Sequence, residues 1–467
     1  MPLWHPHRDQ MRLPTDLSIN PLFTRREEDS VPRFRLPEES MLPETAYQII
    51  HDELALDGDA RLNLATFVST WMEPEADRLY AEAADKNIID KDEYPQTAAI
   101  EDRCVHMLAD LWHAPDPHQV LGVSTTGSSE ACMLGGLALK RRWQNARKAK
   151  GQAADRPNIV FSSAVQVVWE KFANYWDVEP RYVPIEPERP CLTPEGVLGA
   201  VDENTIGVVC VLGVTYTGCY EPVAAIAQAL DQLQERTGLD LPIHVDAASG
   251  GFIAPFLQPE LIWDFKLARV RSINASGHKY GLVYPGLGWI VWREAADLPD
   301  DLIFRVSYLG GDMPTFALNF SRPGAQVLLQ YYNFLRLGRQ GYYRVQHTAQ
   351  QVATFLSREI GALGMFELLS AGTDIPVLAW RLRPDSAKNW SLHDLSRQLR
   401  QHGWQVPAYP LPADMTDVTV MRVVVRNGFS MDLAHLFLAE FEDAVRFLDG
   451  LDGPMPQGAE PSTVFHH

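Results

Sequence analysis

The 467-residue sequence predicts an α/β fold in which a large sheet domain precedes a small α+β domain. Between Gly122 and Trp292, short apolar runs alternate with stretches of helical periodicity, a pattern typical of strands joined by helices. The runs are largely apolar rather than alternating, as expected for strands covered on both faces. After Arg322 and Pro323 the pattern becomes helical as far as about Leu363, where a second unit is expected to begin.

The first part of the chain is predicted to be an arm. Residues 1–45 are rich in proline and mixed charges, a composition that opposes long regular elements. From about Ala46 the apolar periodicity becomes helical. We expect an N-terminal arm and helix over residues 1–60, and such arms usually wrap a partner subunit or stay mobile.

The large domain is expected over residues 61–349. Its predicted strands are residues 158–162, 206–214, 243–246, 272–275 and 289–292, and its predicted helices follow Gly127 and cover residues 165–175 and 223–237.

The small domain is expected over residues 350–452, with strands at 377–382, 404–406 and 418–425 between two helices. The last helix is predicted from apolar residues that recur at spacings of three and four: Leu433, Phe437, Phe441, Ala444 and Leu448. Residues 453–467, rich in Pro and Gly, are expected to form a mobile tail that ends in His466 and His467.

The overall charge argues against a nucleic-acid partner. Lys and Arg total 41 against 60 Asp and Glu, a net charge of −19 that repels phosphate backbones and anionic lipid. The apolar runs fall far below the roughly 20 residues of a spanning helix, so no integral membrane segment is expected. The N-terminus has no apolar stretch of a signal peptide, and the five cysteines show no metal-ligand spacing. We therefore expect a cytoplasmic protein with reduced thiols and no metal.

A lysine-containing motif follows one of the predicted strands. Lys279 ends the run Ser276, Gly277, His278, Lys279 directly after residues 272–275. Asp246 ends another predicted strand, and the carboxyl ends of strands in open α/β sheets converge on the ligand crevice. One amine and one acid are therefore expected to face the same ligand.

A third motif could anchor a phosphate group. Residues 126–130, TGSSE, lie between a predicted strand and a helix, where free N–H groups and hydroxyls can cradle a phosphate. Taken singly, each motif has an ordinary explanation: a solvated lysine, a turn or cap aspartate, and a helix start.

Together the three motifs predict a site for pyridoxal 5′-phosphate (PLP). Lys279 is expected to form the Schiff base, and Asp246 to keep the pyridine nitrogen protonated. The residues expected on the phosphate are Ser128, Ser129 and Ser276.

Short segments over nearly the whole chain resemble one known family, in the same order. They are NLATF at 63–67, IDKDEYPQ at 89–96, LWHA at 111–114, GSSEACMLGG at 127–136, VTYTG at 214–218, VDAASGGFIA at 245–254, ASGHK at 275–279, YLGG at 308–311 and NFSRP at 319–323. With them the sequence resembles the PLP-dependent glutamate decarboxylases of bacteria and plants, within the fold-type I amino-acid decarboxylases. The resemblance implies a fold-type I, transferase-like architecture with a large mixed sheet.

The resemblance also implies an activity and an assembly. The activity is α-decarboxylation of L-glutamate to 4-aminobutyrate (GABA) and carbon dioxide, linked to acid tolerance or GABA production. The assembly is a homodimer with shared active sites, or a larger one such as a hexamer. No basic, Trp-containing amphipathic helix follows Leu451, so the calmodulin-binding extension of plant members is not expected.

Matching positions carry roles over from the family. The resemblance places Gln166 and Ala248 on the two faces of the cofactor ring and Thr215 near its hydroxyl. It implies that Thr66, Phe67 and Asp90 bind the distal carboxylate of the substrate, in a pocket completed by a neighbouring subunit. Arg422 resembles the arginine that pairs with the α-carboxylate, for which a planar guanidinium is suited.

Other roles carried over concern protons, the partner subunit and regulation. Tyr308 resembles a proton donor in a closing loop, and His278 a residue that contacts the phosphate or shuttles protons. Phe320 and Ser321 resemble residues that reach the partner's phosphate. His466 resembles a penultimate histidine that closes the active site at neutral pH and is expelled when protonated.

Several alternatives stay open at this level. Gln166 could be an ordinary helix residue, Asp90 a solvated residue of an acidic loop, His278 a structural histidine, and the tail a segment without a role. The enzyme could decarboxylate another amino acid, such as an aromatic one or aspartate, against which Thr66 and Asp90 argue. A non-catalytic PLP carrier would need neither Arg422 nor Tyr308.

Overall fold

A computed structural model describes residues 34–186, 190–307, 313–386, 388–413 and 415–453 of the chain. The chain divides after Ala60 into two compact units. In the first unit, helix α1 (Pro43–Leu54) begins with a proline, whose fixed φ and missing N–H suit the first helical turn. Residues 1–33 of the expected arm and the expected tail beyond Gly453 lie outside the described residues.

The second unit is built on a large mixed sheet. Its strands are β1 (Leu121–Thr125), β2 (Asn158–Ser162), β3 (Glu179–Val183), β4 (Thr205–Val211), β5 (Ile243–Asp246), β6 (Val270–Ala275) and β7 (Gly288–Trp292). The order across the sheet is β1-β7-β6-β5-β4-β2-β3. Strand β7 runs antiparallel to both neighbours, and the remaining neighbours are parallel. The mixed sheet expected from the family resemblance is confirmed.

Helices cover this sheet. They are α2 (Pro74–Glu82), α3 (Pro95–Leu111), α4 (Ser128–Ala149), α5 (Val167–Tyr175), α6 (Pro194–Ala200), α7 (Val223–Thr237) and the short α8 (Ala254–Leu257). Strands β2, β4, β5 and β7 are buried along their whole length, as expected for strands covered on both faces. A two-stranded ribbon, β8 (Phe304–Val306) with β9 (Met313–Thr315), follows the sheet.

A long helix leads to the small sheet. Helix α9 (Ala325–Ala362) breaks at Gly338, whose φ of 55° lies in the left-handed region. The small sheet, in the order β10-β11-β13-β12, contains β10 (Phe366–Ala371), β11 (Val377–Leu382), β12 (Ala408–Pro410) and β13 (Thr419–Val424), with α10 (Leu392–Gln401) and α11 (Met431–Asp449) beside it. Among the described helices, none is long and apolar enough to cross a membrane.

Most predicted elements are confirmed, and two need correction. Strand β4 ends at Val211 and not at residue 214, because Gly213 adopts a φ of 104° and turns the chain. Residues 404–406 are not a strand: Gln405 forms only an isolated bridge with Asn63. The neighbouring Trp404 is buried as a core side chain, which explains the misleading apolar pattern. The expected boundary between large and small domains at residue 349 stays a prediction.

Candidate active site

A pocket of ≈ 280 Å³ lies where strands β4, β5 and β6 end and helix α4 begins. It is lined by residues that the sequence singled out: Ser128, Ser129, Gln166, Thr215, Asp246, Ala248, Ser276, His278 and Lys279. A larger groove of ≈ 1630 Å³ lies at the opposite, amino-terminal ends of β4 and β5 and contains none of them. The chemistry-bearing side chains therefore meet at the edge where parallel strands place ligands.

Asp246 is a buried carboxylate with donors on both oxygens. Its Oδ1 accepts hydrogen bonds from the backbone N of Ala248 at 3.2 Å and from Nδ2 of Asn274 at 2.9 Å. Its Oδ2 accepts from Nε1 of Trp169 at 3.0 Å and from Sγ of Cys132 at 3.5 Å. Four donors therefore surround this carboxylate at the pocket wall.

Lys279 brings an amine into the same pocket. Its backbone is fixed by Ser69, whose Oγ donates to the carbonyl oxygen of Lys279 at 2.7 Å. Its Nζ lies 5.2 Å from the ring centroid of Phe67. Desolvation lowers the pKa of Lys279, while the charge of Asp246 raises it. A lysine whose pKa is lowered by burial is more often neutral and can act as a nucleophile.

The start of helix α4 forms the anion-binding end of the pocket. Ser128 is the first residue of the helix, where backbone N–H groups lack partners within the helix. The Oγ of Ser276 donates to the Oγ of Ser128 at 2.8 Å. A Cβ added to Gly288 would meet the carbonyl carbon of Gly127 and lie 2.6 Å from the N of Ser128, so only glycine lets β7 approach here.

His278 adds a further donor at this end. Its Nδ1 accepts from the backbone N of Gly286 at 3.3 Å and from that of Leu287 at 3.1 Å. The hydrogen of the neutral ring is therefore on Nε2. Burial, with a smaller contribution from Lys279, lowers the pKa of His278 to about 4.

Gln166 and Thr215 have structural contacts as well as pocket positions. Gln166 is the N-cap of α5, and its Oε1 accepts from the N of Val168 at 2.6 Å. The carbonyl oxygen of Thr215 accepts a hydrogen bond from Nη1 of Arg422. The alternative interpretation of Gln166, as a helix residue, is thus compatible with its place at the pocket.

Arg422 is a buried cation beside the pocket. It lies in β13 with 8% of its surface exposed, and its Nη2 donates to the carbonyl oxygen of Ala65 at 2.6 Å. Its guanidinium carbon lies 4.8 Å from the ring centroid of Phe67. The hydrogen bonds of Arg422 to described residues go to backbone carbonyl oxygens and not to a carboxylate, and its Nε has no partner among them. A buried guanidinium without an acid is suited to receive one from a ligand.

Asp90 and Ser321 do not line the pocket of their own chain. Nδ2 of Asn87 donates to Oδ2 of Asp90 at 2.9 Å and to Oγ of Ser321 at 3.3 Å, so these two residues lie together in a separate cluster. Ser321 is exposed, as is the neighbouring Phe320.

Thr66 is positioned differently. It is next to Phe67 and therefore near Lys279 and Arg422, and its Oγ1 accepts from the N of Val68 at 3.2 Å. Tyr308 and His466 lie outside the described residues.

Sequence reasoning missed three residues around the pocket. Trp169 and Asn274 bind Asp246, and His244 binds Asn274 through Nε2 and Oδ1 at 2.7 Å. A signal was present, because His244 and Asn274 are polar residues inside predicted strands, where buried polar side chains need partners.

The pocket fits PLP and defines a class of protein. A lysine of lowered pKa, a buried carboxylate and a serine-bearing helix start match the aldehyde, pyridine nitrogen and phosphate of that cofactor. The arrangement on a mixed α/β sheet is that of the fold-type I PLP-dependent enzymes.

Comparison with known proteins identifies the family. Residues 37–383 match the pyridoxal-dependent decarboxylase conserved domain, and the chain belongs to this family. A glutamate decarboxylase of Aliivibrio fischeri is 54% identical over 441 residues, which cover 94% of each chain. A solved structure, the glutamate decarboxylase of Lactobacillus brevis, has a TM-score of 0.89 and 47% identity over 93% of this chain and 99% of that one.

A more distant structure shares the fold alone. The sphingosine-1-phosphate lyase of Burkholderia pseudomallei has a TM-score of 0.75 at 21% identity and covers 90% of this chain and 94% of its own.

Proposed function

We propose that this chain is a PLP-dependent enzyme that removes the α-carboxylate of L-glutamate to give 4-aminobutyrate and carbon dioxide. The comparisons support the substrate, because the relatives named glutamate decarboxylase match nearly the full length of both chains. The observation that carries the proposal is the buried guanidinium of Arg422, which lies over the same Phe67 ring as the amine of Lys279 and has no carboxylate partner among the described residues.

Lys279, Asp246 and Arg422 have separate roles in the proposed reaction. When bound, PLP accepts the electron pair that is released as the bond from Cα to the carboxylate breaks. Lys279 supplies the amine that holds the cofactor, and the carboxylate of Asp246 holds a proton on the pyridine nitrogen. Arg422 binds the α-carboxylate and so orients the bond that breaks.

The remaining pocket residues bind and cover the cofactor. Ser128, Ser129 and His278 donate hydrogen bonds to the phosphate, and Ser276 belongs to the phosphate site by donating to the Oγ of Ser128. Gln166 and Ala248 cover the two ring faces, and Thr215 lies near the ring hydroxyl. Tyr308, matched only through the resemblance, is the proposed proton donor to Cα.

The distal carboxylate of glutamate requires a second subsite. We assign it to Thr66, Phe67 and Asp90. Thr66 and Phe67 lie near the pocket of their own chain, whereas Asp90 and Ser321 lie in a separate cluster. This separation supports a homodimer in which Asp90, Phe320 and Ser321 complete the partner's site, and a hexamer built from such dimers is compatible with it.

We place the enzyme in the cytoplasm, where reduced thiols persist. Cys104, Cys132 and Cys210 are buried, and burial raises the pKa of each thiol. A link to acid tolerance or GABA production follows from the reaction, because protonation of Cα consumes a proton.

The experiment compares carbon dioxide release from a panel of L-amino acids by the PLP-loaded protein. We expect release from glutamate to exceed that from aspartate and from aromatic amino acids, and Lys279→Ala to abolish both release and the cofactor's protein-bound absorbance band. Equal or greater release from another amino acid would overturn the substrate. A bound cofactor with no release from any amino acid would favour the non-catalytic carrier.

A further inference from the structure

Asn274 lies behind the pocket wall, and its side chain contacts both ends of the proposed cofactor site. It is a fully buried residue of strand β6, paired in register with Asp246 of β5. Its Nδ2 lies 2.9 Å from Oδ1 of Asp246 and 3.2 Å from Oγ of Ser128. Because an amide nitrogen carries two hydrogens, it can donate to both oxygens at once. One side chain therefore joins the carboxylate to the start of helix α4.

The neighbours of Asn274 fix the orientation of its amide. An ionised Asp246 can only accept hydrogen bonds, so it must face the NH₂ group. The carbonyl oxygen Oδ1 of Asn274 then lies 2.7 Å from Nε2 of His244, which must carry a hydrogen. Nδ1 of His244 lies 2.7 Å from Oγ of Ser272 and accepts from that hydroxyl. A flipped amide would set an oxygen against the carboxylate of Asp246.

The ring of His244 is itself held in place. Trp169 packs edge-on against it at a centroid distance of 5.0 Å, and a Cβ added to Gly135 would lie 2.6 Å from its Cε1. Burial lowers the pKa of His244 to about 4, so the ring is neutral near neutral pH. A neutral ring with one donor and one acceptor matches its two partners.

The contact with Ser128 sets the direction of a hydroxyl hydrogen. The Oγ of Ser128 accepts from Nδ2 of Asn274 and also from Oγ of Ser276. With both lone pairs occupied, the hydrogen of Ser128 is left to donate into the pocket that this residue lines.

We propose that Asn274 is a positioning residue that holds Asp246 and Ser128 in the arrangement that PLP requires. The inference rests on the proposed function, because it needs Asp246 at the pyridine nitrogen and Ser128 at the phosphate. A purely space-filling role would need only the size of the side chain.

Two variants separate these roles. Asn274→Ala removes both donors, whereas Asn274→Asp keeps the size and the acceptor for His244 but sets an oxygen against Asp246. For each variant, the dissociation constant of PLP is measured by cofactor fluorescence, and the thermal midpoint of the apoprotein is measured separately. We expect each variant to bind PLP about 10- to 100-fold more weakly, and Asn274→Asp at least as weakly as Asn274→Ala. Wild-type affinity in Asn274→Asp would overturn the proposal.

Asn158 provides a matched control. It is also fully buried, at the start of β2, where it donates to Oδ1 of Asp202 at 2.8 Å and accepts from Oγ1 of Thr205 at 2.7 Å. Asn158→Ala and Asn158→Asp are expected to lower the thermal midpoint of the apoprotein while PLP affinity stays within about twofold. An equal loss of PLP affinity in these variants would show general destabilisation and would count against the role of Asn274.

A further variant distinguishes this proposal from the proposed function. Asp246→Asn is measured in the same series. Weak PLP binding in Asp246→Asn together with wild-type binding in both Asn274 variants would overturn the role of Asn274 alone. Wild-type PLP binding in Asp246→Asn would overturn the proposed cofactor site, and the role of Asn274 with it.

Discussion

Replacement of Asp246 by asparagine tests the electrostatics of the pocket with almost no change of shape. The carboxylate accepts from Ala248 and Asn274 on Oδ1 and from Trp169 and Cys132 on Oδ2. An asparagine must turn its NH₂ group towards one of these two pairs of donors. In either orientation the NH₂ group faces at least one N–H donor instead of an acceptor. It also removes the negative charge that would hold a proton on the pyridine nitrogen.

The magnitude follows from the contacts that are lost. The less costly orientation places NH₂ towards Trp169 and Cys132, because the sulfur can accept weakly while the indole N–H loses its partner. A hydrogen bond to a charged group contributes about 1.5–3 kcal/mol. Loss of the Trp169 bond lowers the stability of the fold, whereas loss of the charge opposite the pyridine nitrogen raises the barrier by about 1.5–3 kcal/mol. Since about 1.4 kcal/mol corresponds to a factor of ten, we expect kcat to fall about 10- to 100-fold.

The assay measures initial rates of carbon dioxide release at saturating glutamate and PLP, together with the pH titration of the bound cofactor's absorbance. Asp264→Asn is the control, because Asp264 is equally buried but lies outside the pocket, where it binds Nδ1 of His113 at 2.7 Å. We expect this control to keep wild-type kcat. Turnover within about threefold of wild type in Asp246→Asn, with full cofactor occupancy, would refute the role of the carboxylate.

Three further predictions concern sharing of the site, the tail and stability. Mixing Lys279→Ala with Ser321→Ala subunits should restore activity above that of either variant alone, and hybrid dimers without activity would contradict a shared site. Truncation after Gly453, which removes His466, should extend decarboxylation to higher pH if, as the family resemblance implies, the neutral imidazole closes the site and its protonated form is expelled; superimposable pH profiles would leave the tail without this role. Burial raises the pKa of Glu221 to about 7, so the stability that its protonated form contributes is present below its ordinary pKa and is lost as pH rises through about 7. This loss is worth about 3 kcal/mol of unfolding free energy, and the thermal midpoint of the Glu221→Gln apoprotein should therefore fall less between about pH 5 and pH 8 than that of wild type. An equal fall in both proteins would contradict the raised pKa of Glu221.

The sequence was most informative where a single element carries the signal. Strand β2 and helix α7 were predicted at their observed bounds, because a short apolar run and a regular apolar stripe are local properties. The position of Lys279 shortly after one strand and of Asp246 at the end of another was sufficient to place both at one edge of a sheet.

The partners of Asp246 could not be predicted because they depend on register and packing. Asn274 reaches the carboxylate only because β5 and β6 are neighbours with Asp246 opposite Asn274. Trp169 reaches it from α5, and nothing in the spacing of these residues indicates that contact. The same holds for Asn87, which joins Asp90 to Ser321 across more than 200 residues of sequence.

The charges of the pocket bear on the pH at which the enzyme works. L-Glutamate brings two carboxylates, and Arg422 can pair with one of them. If Thr66 and Asp90 bind the other, as we propose, a carboxylate meets a carboxyl side chain, and two like charges in contact raise the pKa of one partner. The pair is then stable only with one shared proton, which is more readily supplied in acid. Binding of glutamate would accordingly weaken as pH rises, independently of any closure by the tail, so KM and the tail-dependent loss of kcat should respond to pH separately.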